Sequence, residues 1–287
     1  MIGRRHPQRP SDYLGIMVGA LALAGCSAIT APPEASNDEV LFATSPANIA
    51  SLTDVVARNP GDPQAYNVRG AVFGQAGKPA EALADFNKAI SLDPNYAQAY
   101  ANRALVYRQT SKLELALADY NKALAIDANY APAYLGRGLV HRQKGQLLPA
   151  LQDFNKAIAI RPDTAQAYYN RGLLYQSQRQ HQFAIDDFST AIGLSSQQAE
   201  PLIARGLSYL AVNELKSAAS DLDEAAMIDP HNVNAWMSRA LAYERLGDKN
   251  KAAGSYAKAI GINRDDPAGR AGFDRVGGQY GRQYPAL

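Results

Sequence analysis

The chain has 287 residues with 29 Lys and Arg against 27 Asp and Glu, a formal net charge of +2. Arg4, Arg5, Arg9 and Asp12 all precede residue 26, so the remainder balances at 26 residues of each sign. It has no excess cation with which to neutralise a phosphate backbone, which sets nucleic acid aside as a partner. Cys26 is the single cysteine, so neither an intrachain disulfide nor a zinc site built on several thiolates can form.

The first element, residues 1–25, has the layout of an export signal. Arg4, Arg5, His6 and Arg9 precede Leu14 to Leu23, apolar or small throughout and too short for the ~20 residues of a spanning helix. The residues around Arg4-Arg5 do not resemble a twin-arginine signal. Leu23-Ala24-Gly25-Cys26 resembles the lipobox of bacterial lipoproteins, in which a leucine and two small residues precede the lipidated cysteine. The resemblance implies a diacylglyceryl group on the Cys26 thiol, cleavage before Cys26 and acylation of the new amino group. No other cofactor is expected. Each buried methylene contributes about 0.8 kcal/mol, so such an anchor would be essentially permanent. The plainer alternative is a secretory leader with an incidental cysteine, but such leaders favour an Ala-x-Ala-like site over Gly-Cys. Ser27 stands where the enteric version of the family carries Asp for inner-membrane retention, which favours the outer membrane. Residues 26–44 then form the lipidated cysteine and a tether: Ser27 to Asp38 includes Pro32 and Pro33, has no helical period, and spans roughly 40 Å at full extension.

Residues 45–62 predict an N-terminal capping half-repeat, with Ile49, Leu52, Val55 and Val56 at helical spacing before Asn59-Pro60. From Pro63 the chain repeats every 34 residues through 266. Tyr66, Tyr100, Tyr134, Tyr168, Leu202 and Trp236 share one position, and Gly70, Ala104, Gly138, Gly172, Gly206 and Ala240 follow four later. Phe73, Tyr107, His141, Tyr175, Tyr209 and Tyr243 come next. A second series carries Ala82, Ala116, Ala150, Ala184, Ala218 and Ala252, then Phe86, Tyr120, Phe154, Phe188, Leu222 and Tyr256, then Ala89, Ala123, Ala157, Ala191, Ala225 and Ala259. Spacings of three and four put each series on one helical face, with small residues allowing close approach and aromatics filling the space between.

The pattern Tyr-x-x-Arg-Gly-x-x-Tyr, Ala-x-x-Asp-Phe-x-x-Ala, Asp-Pro closely resembles the tetratricopeptide repeat (TPR) family, whose period is also 34. The resemblance covers 63–266 and implies an all-α superhelical solenoid of antiparallel helix pairs, six repeats plus capping helices. Ala128, Ser196 and Arg264 replace the closing proline found at Pro94, Pro162 and Pro230. Leu202 and Leu222 thin the aromatics of repeat five, which predicts looser packing near 195–230. Residues 267–287 predict a C-terminal capping helix opened by Asp266-Pro267 and stopped by Gly277-Gly278, followed by a disordered tail from Gln279.

Arg69, Arg103, Arg137, Arg171, Arg205 and Arg239 recur in every repeat, and Asp85, Asp119, Asp153, Asp187 and Asp221 recur almost as regularly, with Ser255 the exception. An anion ladder is one reading. An internal pair per repeat accounts for both series and is preferred, leaving Arg239 as the arginine expected to be free. His141, His181 and His231 lie in three repeats, and His141 reads as a core residue. Gly74 to Lys78 has the wrong spacing for a phosphate loop and carries Pro79 where that motif needs Ser or Thr; it reads as an inter-helix turn. No catalytic motif is found, and an enzyme is not expected.

In TPR proteins the concave surface is built from first-helix positions two, five, six, nine, twelve and thirteen. Counted from Pro63, these give a candidate partner groove of Asn67, Asn102, Arg108, Leu135, Leu139, Arg142, Tyr169, Asn170 and Leu173, with Val68, Gln109 and Gln143 beside them. Amides can bind a peptide backbone while leucines and Tyr169 take its side chains. Ala71 and Leu105 replace the asparagines of the family's carboxylate clamp, so a chaperone C-terminus is not the expected partner. Lipobox, tether and array together resemble envelope lipoproteins that act as adaptors, docking periplasmic proteases or peptidoglycan hydrolases. The alternatives are a pilotin carrying one secretin or pilus component, and an enzyme acting on envelope glycans. Expected partners are therefore envelope proteins and, through the lipid, a membrane; a homodimer is compatible with the pattern.

Overall fold

In a computed structural model, which describes residues 41–284 apart from 42 and 196, fourteen α-helices follow one another. The lipobox, Cys26 and most of the tether lie outside the described residues. Helix α1 (Pro46–Arg58) precedes six helix pairs: α2 (Pro63–Gln75) with α3 (Pro79–Leu92), α4 (Ala97–Gln109) with α5 (Leu113–Ile126), α6 (Ala131–Gln143) with α7 (Leu147–Ile160), α8 (Ala165–Ser177) with α9 (His181–Leu194), α10 (Ala199–Ala211) with α11 (Leu215–Ile228), and α12 (Val233–Leu246) with α13 (Lys249–Ile262). Helix α14 (Pro267–Arg275) closes the array. Every second helix ends at the same register, so Ala128 and Arg264 stop it as well as proline does.

Two interlocks hold each pair together. Where position eight is glycine, the partner ring sits against its backbone: a Cβ at Gly138 would lie 2.7 Å from Phe154, and one at Gly172 would lie 2.7 Å from Phe188. Repeats two and six instead carry Ala104 and Ala240, with Tyr120 and Tyr256 as the ring. These longer side chains reach into the next element, where Gly136 and Gly272 make room; a Cβ would stand 2.3 Å from Tyr120 and 2.4 Å from Tyr256. The turn inside each pair contains one left-handed residue, namely Gly77, Ser111, Gly145, Arg179, Asn213 and Gly247. Ser111 and Arg179 accept a conformation that costs roughly 1–2 kcal/mol for a residue with a Cβ, which shows how strongly the packed pair dictates the turn.

Repeat five is not loosened by its leucines. Leu202 and Leu222 are fully buried, and Leu222 fills the space over Gly206, inside a core that runs unbroken to Phe273. At the N-terminal end, Ser45 accepts from the Asn48 backbone N–H and α1 buries Val56, whereas Val55 faces outward. At the C-terminal end the expected disorder is corrected as far as residue 284. Phe273 is capped by the rings of Tyr280 and Tyr284, at centroid distances of 4.9 and 5.8 Å, and the Gln279 N–H donates to Tyr284 Oη at 2.6 Å. An open solenoid end exposes apolar surface, and these two rings cover it. Arg275 and Tyr256 both donate to Glu244, at 2.5–2.8 Å, which ties α14 to the sixth pair.

Candidate functional site

The first helices α2, α4, α6, α8, α10 and α12 touch one another in succession, while second helices meet no comparable neighbour of their own kind among the described residues. Elements that approach along one side and splay on the other make a curved wall, and the first helices therefore line its concave side. Position nine faces into that concavity as a row: Leu105, Leu139 and Leu173 are half-buried, and Leu207 and Leu241 are each 39% exposed. Tyr169 stands half-buried beside the row, its ring 5.9 Å from Phe188. It lines a cavity of about 410 Å³ together with Gln166, Gln198, Glu200 and Pro201.

Position twelve supplies the cations of this wall. Arg142 is exposed along its length, yet its guanidinium is pushed below the usual arginine value by partial burial and by the neighbouring Arg108 charge, with Tyr169 opposing. Arg108 hydrogen-bonds the Tyr120 hydroxyl, which burial pushes up to about 12. Its Nε is buried with no hydrogen-bond partner among the described residues, as is the hydroxyl of Tyr130, which lies near Tyr96, Asp127 and Tyr120. Tyr120 was not a groove candidate from sequence, and its buried hydroxyl packs against Gly136 of the following repeat.

Four other expected groove residues lie beneath the surface. Leu135 is buried against Phe154, Ala167 and Leu174. Asn102 donates to Asn67 Oδ1 at 3.0 Å and Asn67 donates to Tyr96 Oη at 3.3 Å. Asn170 donates to the Gln166 carbonyl at 2.7 Å. Asn67, Asn102 and Leu135 thus bond and pack between adjoining first helices, and Asn170 bonds back to its own helix, so these buried side chains do not stand open to a ligand. Among the residues named from sequence, Arg108, Leu139, Arg142, Tyr169 and Leu173 remain at the wall.

The recurrent arginines are paired. Arg69, Arg103, Arg137, Arg171 and Arg205 each make a two-pronged contact, 2.7–2.9 Å, with Asp85, Asp119, Asp153, Asp187 and Asp221. Hydrogen bonding to aspartate raises these arginines above their usual value, against the opposing effect of burial. A third bond runs back to the preceding repeat from four of them, to Asn87, Asn121, Asn155 and Ser189. Arg239 is not free, contrary to expectation. It is 3% exposed, donates to Asp223 at 2.6 Å and to Ser255 at 2.5 Å, and lies between the Trp236 and Tyr243 rings. Asp223 occupies the place of Asn87 and Ser255 that of Asp85, so in the last repeat the carboxylate has moved across the repeat boundary. His141 is half-buried, bonded to Gln146 at 2.7 Å and 3.9 Å from Asp153; it edges this network and is not a core residue.

Models of the TPR or tetratricopeptide repeat match residues 63–96, 86–118, 105–145, 138–178, 165–197 and 203–267. No curated protein matches the chain. Among solved structures, the Cut9–Hcn1 complex of the APC/C superposes with a TM-score of 0.68 at 18% identity, over 83% of this chain and 48% of that one. The chain thus spans about half of that relative. The Pseudomonas aeruginosa pilF structure gives 0.68 at 21%, over 75% and 97%. YrrB, described as a TPR protein with an unusual peptide-binding site, gives 0.57 at 27%, over 65% and 96%. Helix pairs at a 34-residue step and family models from 63 to 267 agree, and the chain belongs to the tetratricopeptide repeat family.

Proposed function

We propose that this protein is a lipid-anchored adaptor of the bacterial cell envelope, which holds periplasmic proteases or peptidoglycan-processing enzymes in its concave groove. The observation that carries the groove is the inner wall itself: a row of leucines, Tyr169 over a cavity, and two arginines, Arg108 and Arg142, that form no ion pair with a carboxylate among the described residues. The likeness to YrrB at 27% identity supports a peptide as the occupant. The lipobox at Leu23 to Cys26 supports the anchor. Anchoring would confine a partner to a thin layer beside the membrane and raise its effective concentration there without new chemistry.

The test is in-cell crosslinking of the tagged chain, with purification and mass spectrometry of what is attached, run beside Cys26→Ala. Palmitate labelling and membrane fractionation are expected for the parent chain and lost in Cys26→Ala, which should appear in the soluble fraction with its circular dichroism unchanged. Unchanged fractionation and no label in the parent chain would contradict the anchor. Recovered proteases or hydrolases would support the adaptor, one secretin or pilus subunit would make the protein a pilotin, and no attached protein would contradict both.

A further inference from the structure

The last second helix, the closing helix and the tail enclose a cavity that the array itself does not use. It measures about 460 Å³ and is lined by Ala257, Ile260, Gly261, Arg264, Arg270 and Tyr280, within the ~300–1,000 Å³ of small-molecule sites. It is built on α13 and α14, and not on the six first helices that line the concave side.

Ala257 and Ile260 form its floor, half-buried against the core of the last two repeats. A Cβ at Gly261 would meet nothing within 4 Å, so the floor continues as bare backbone. Repeat five carries Met227 at the same register, 59% exposed. A long side chain is therefore accommodated at this place in a second helix, and its absence from α13 leaves the cavity open. The rim is cationic. Arg270 takes the position in α14 that holds an aromatic ring or Leu202 in the six complete repeats. Its Nη2 donates to the Arg264 backbone carbonyl, which sets the two residues side by side. Neither guanidinium makes an ion pair among the described residues, and no acid lines the cavity, whereas Arg275 of the same helix is held by Glu244. Tyr280 supplies the wall. Its ring lies against Phe273, with centroids 4.9 Å apart, yet it is 68% exposed, more than any other large apolar or aromatic side chain among the described residues.

We propose that this cavity binds an anionic sugar residue, with its acid at Arg264 and Arg270 and the apolar face of its ring on Tyr280 over Gly261. Guanidinium forks match a carboxylate or a phosphate in two-pronged geometry. An exposed tyrosine offers a flat apolar face with a hydroxyl at its edge. The lining has no Asn or Gln with which to read a peptide backbone. A bare anion would leave the Tyr280 ring uncovered, and a neutral sugar would leave two charges unmatched; a ring that carries an acid satisfies both. The site stands apart from the concave groove and does not depend on it.

The test is saturation-transfer NMR with titration on the full-length protein in detergent. The probes are N-acetylmuramic acid; N-acetylglucosamine, which has the same ring without the lactyl acid; lactate, which has the acid without the ring; and N-acetylglucosamine 6-phosphate. N-acetylmuramic acid is expected to bind about tenfold or more tightly than either of its halves, a difference equal to one charge-assisted hydrogen bond. Arg264→Gln and Arg270→Gln should each weaken it by about tenfold, and Arg58→Gln on α1, at the other end of the array, should not. Gly261→Met, which copies Met227, should fill the cavity and abolish binding, with a thermal midpoint unchanged or raised because glycine is a poor helix former. Binding of the phosphate sugar in place of N-acetylmuramic acid, with the same dependence on both arginines, would support the site and assign its anion to phosphate. The site would be overturned by N-acetylglucosamine or lactate binding as tightly as N-acetylmuramic acid, or by arginine and Gly261→Met variants that bind like the parent. Silence from every probe at about 10 mM, ten times the millimolar Kd of a weak small-ligand site, would overturn it too. The groove is untouched by any of these results, since its partner is read by crosslinking.

Discussion

Phe154→Ala is expected to remove about 3–5 kcal/mol from the middle of the array and to divide one unfolding transition into two. Phe154 is 0% exposed, stands against the backbone of Gly138 and is packed with Leu135, Ala150, Ala157 and Leu174. A solenoid repeat contacts its neighbours alone, so stability is carried by local terms and by the interfaces between adjacent repeats. Weakening repeat three therefore uncouples the repeats on either side of it. Trp236, the one tryptophan of the chain, lies in repeat six and reports the C-terminal half, while far-ultraviolet circular dichroism reports every helix. In urea the two signals should coincide for the parent protein and separate for Phe154→Ala, with the fluorescence change the later one. Coincident transitions in the variant, or a loss under about 1 kcal/mol, would contradict the interlock of ring and glycine as the source of cohesion.

Arg239→Ala should cost about 3 kcal/mol or more, because removing one member of a buried charged pair strands the others. Ser255 is 0% exposed and loses its donor, the Asp223 carboxylate loses its cation, and Trp236 and Tyr243 lose the guanidinium that separates them. The informative comparison is the double variant Asp223→Asn with Ser255→Asp, which rebuilds the arrangement of repeats two to four. It should stay within about 1 kcal/mol of the parent, since asparagine can still accept from Tyr243 and the new aspartate meets Arg239 from within its own repeat. Urea denaturation read by Trp236 fluorescence measures both. A double variant as unstable as Arg239→Ala would show that the carboxylate cannot cross the repeat boundary freely.

The repeat fold was legible because its signal is redundant: each of six units states the same small and aromatic positions at the same step. The coupling between them was equally present and went unread. Glycine at position eight accompanies Phe86, Phe154, Phe188 and Leu222, and alanine accompanies Tyr120 and Tyr256, with the compensating Gly136 and Gly272 one element further on. Asp223 likewise stands in register with Asn87 and Asn121, but it lies one repeat before Arg239, so a pattern confined to single repeats does not pair the two. The composition of the inner wall was legible in part. Position nine and the arginines at position twelve reach the wall, whereas positions five and six depend on how far each first helix rotates towards the next, a property of the superhelix and not of any single unit. The tail contact of Tyr280 and Tyr284 on Phe273 has no period to announce it.

The claim that matters most is that the concave face, and not the outer one, holds the partner. Photocrosslinking in cells from a benzoylphenylalanine placed at Leu139 or Leu173, compared with one at Leu148 on the outer face, where that residue is 65% exposed, tests it directly. Both inner positions are expected to capture the same protein, and the outer position none of it. Capture from Leu148 with silence at Leu139 and Leu173 would place the partner on the outer helices and contradict the groove.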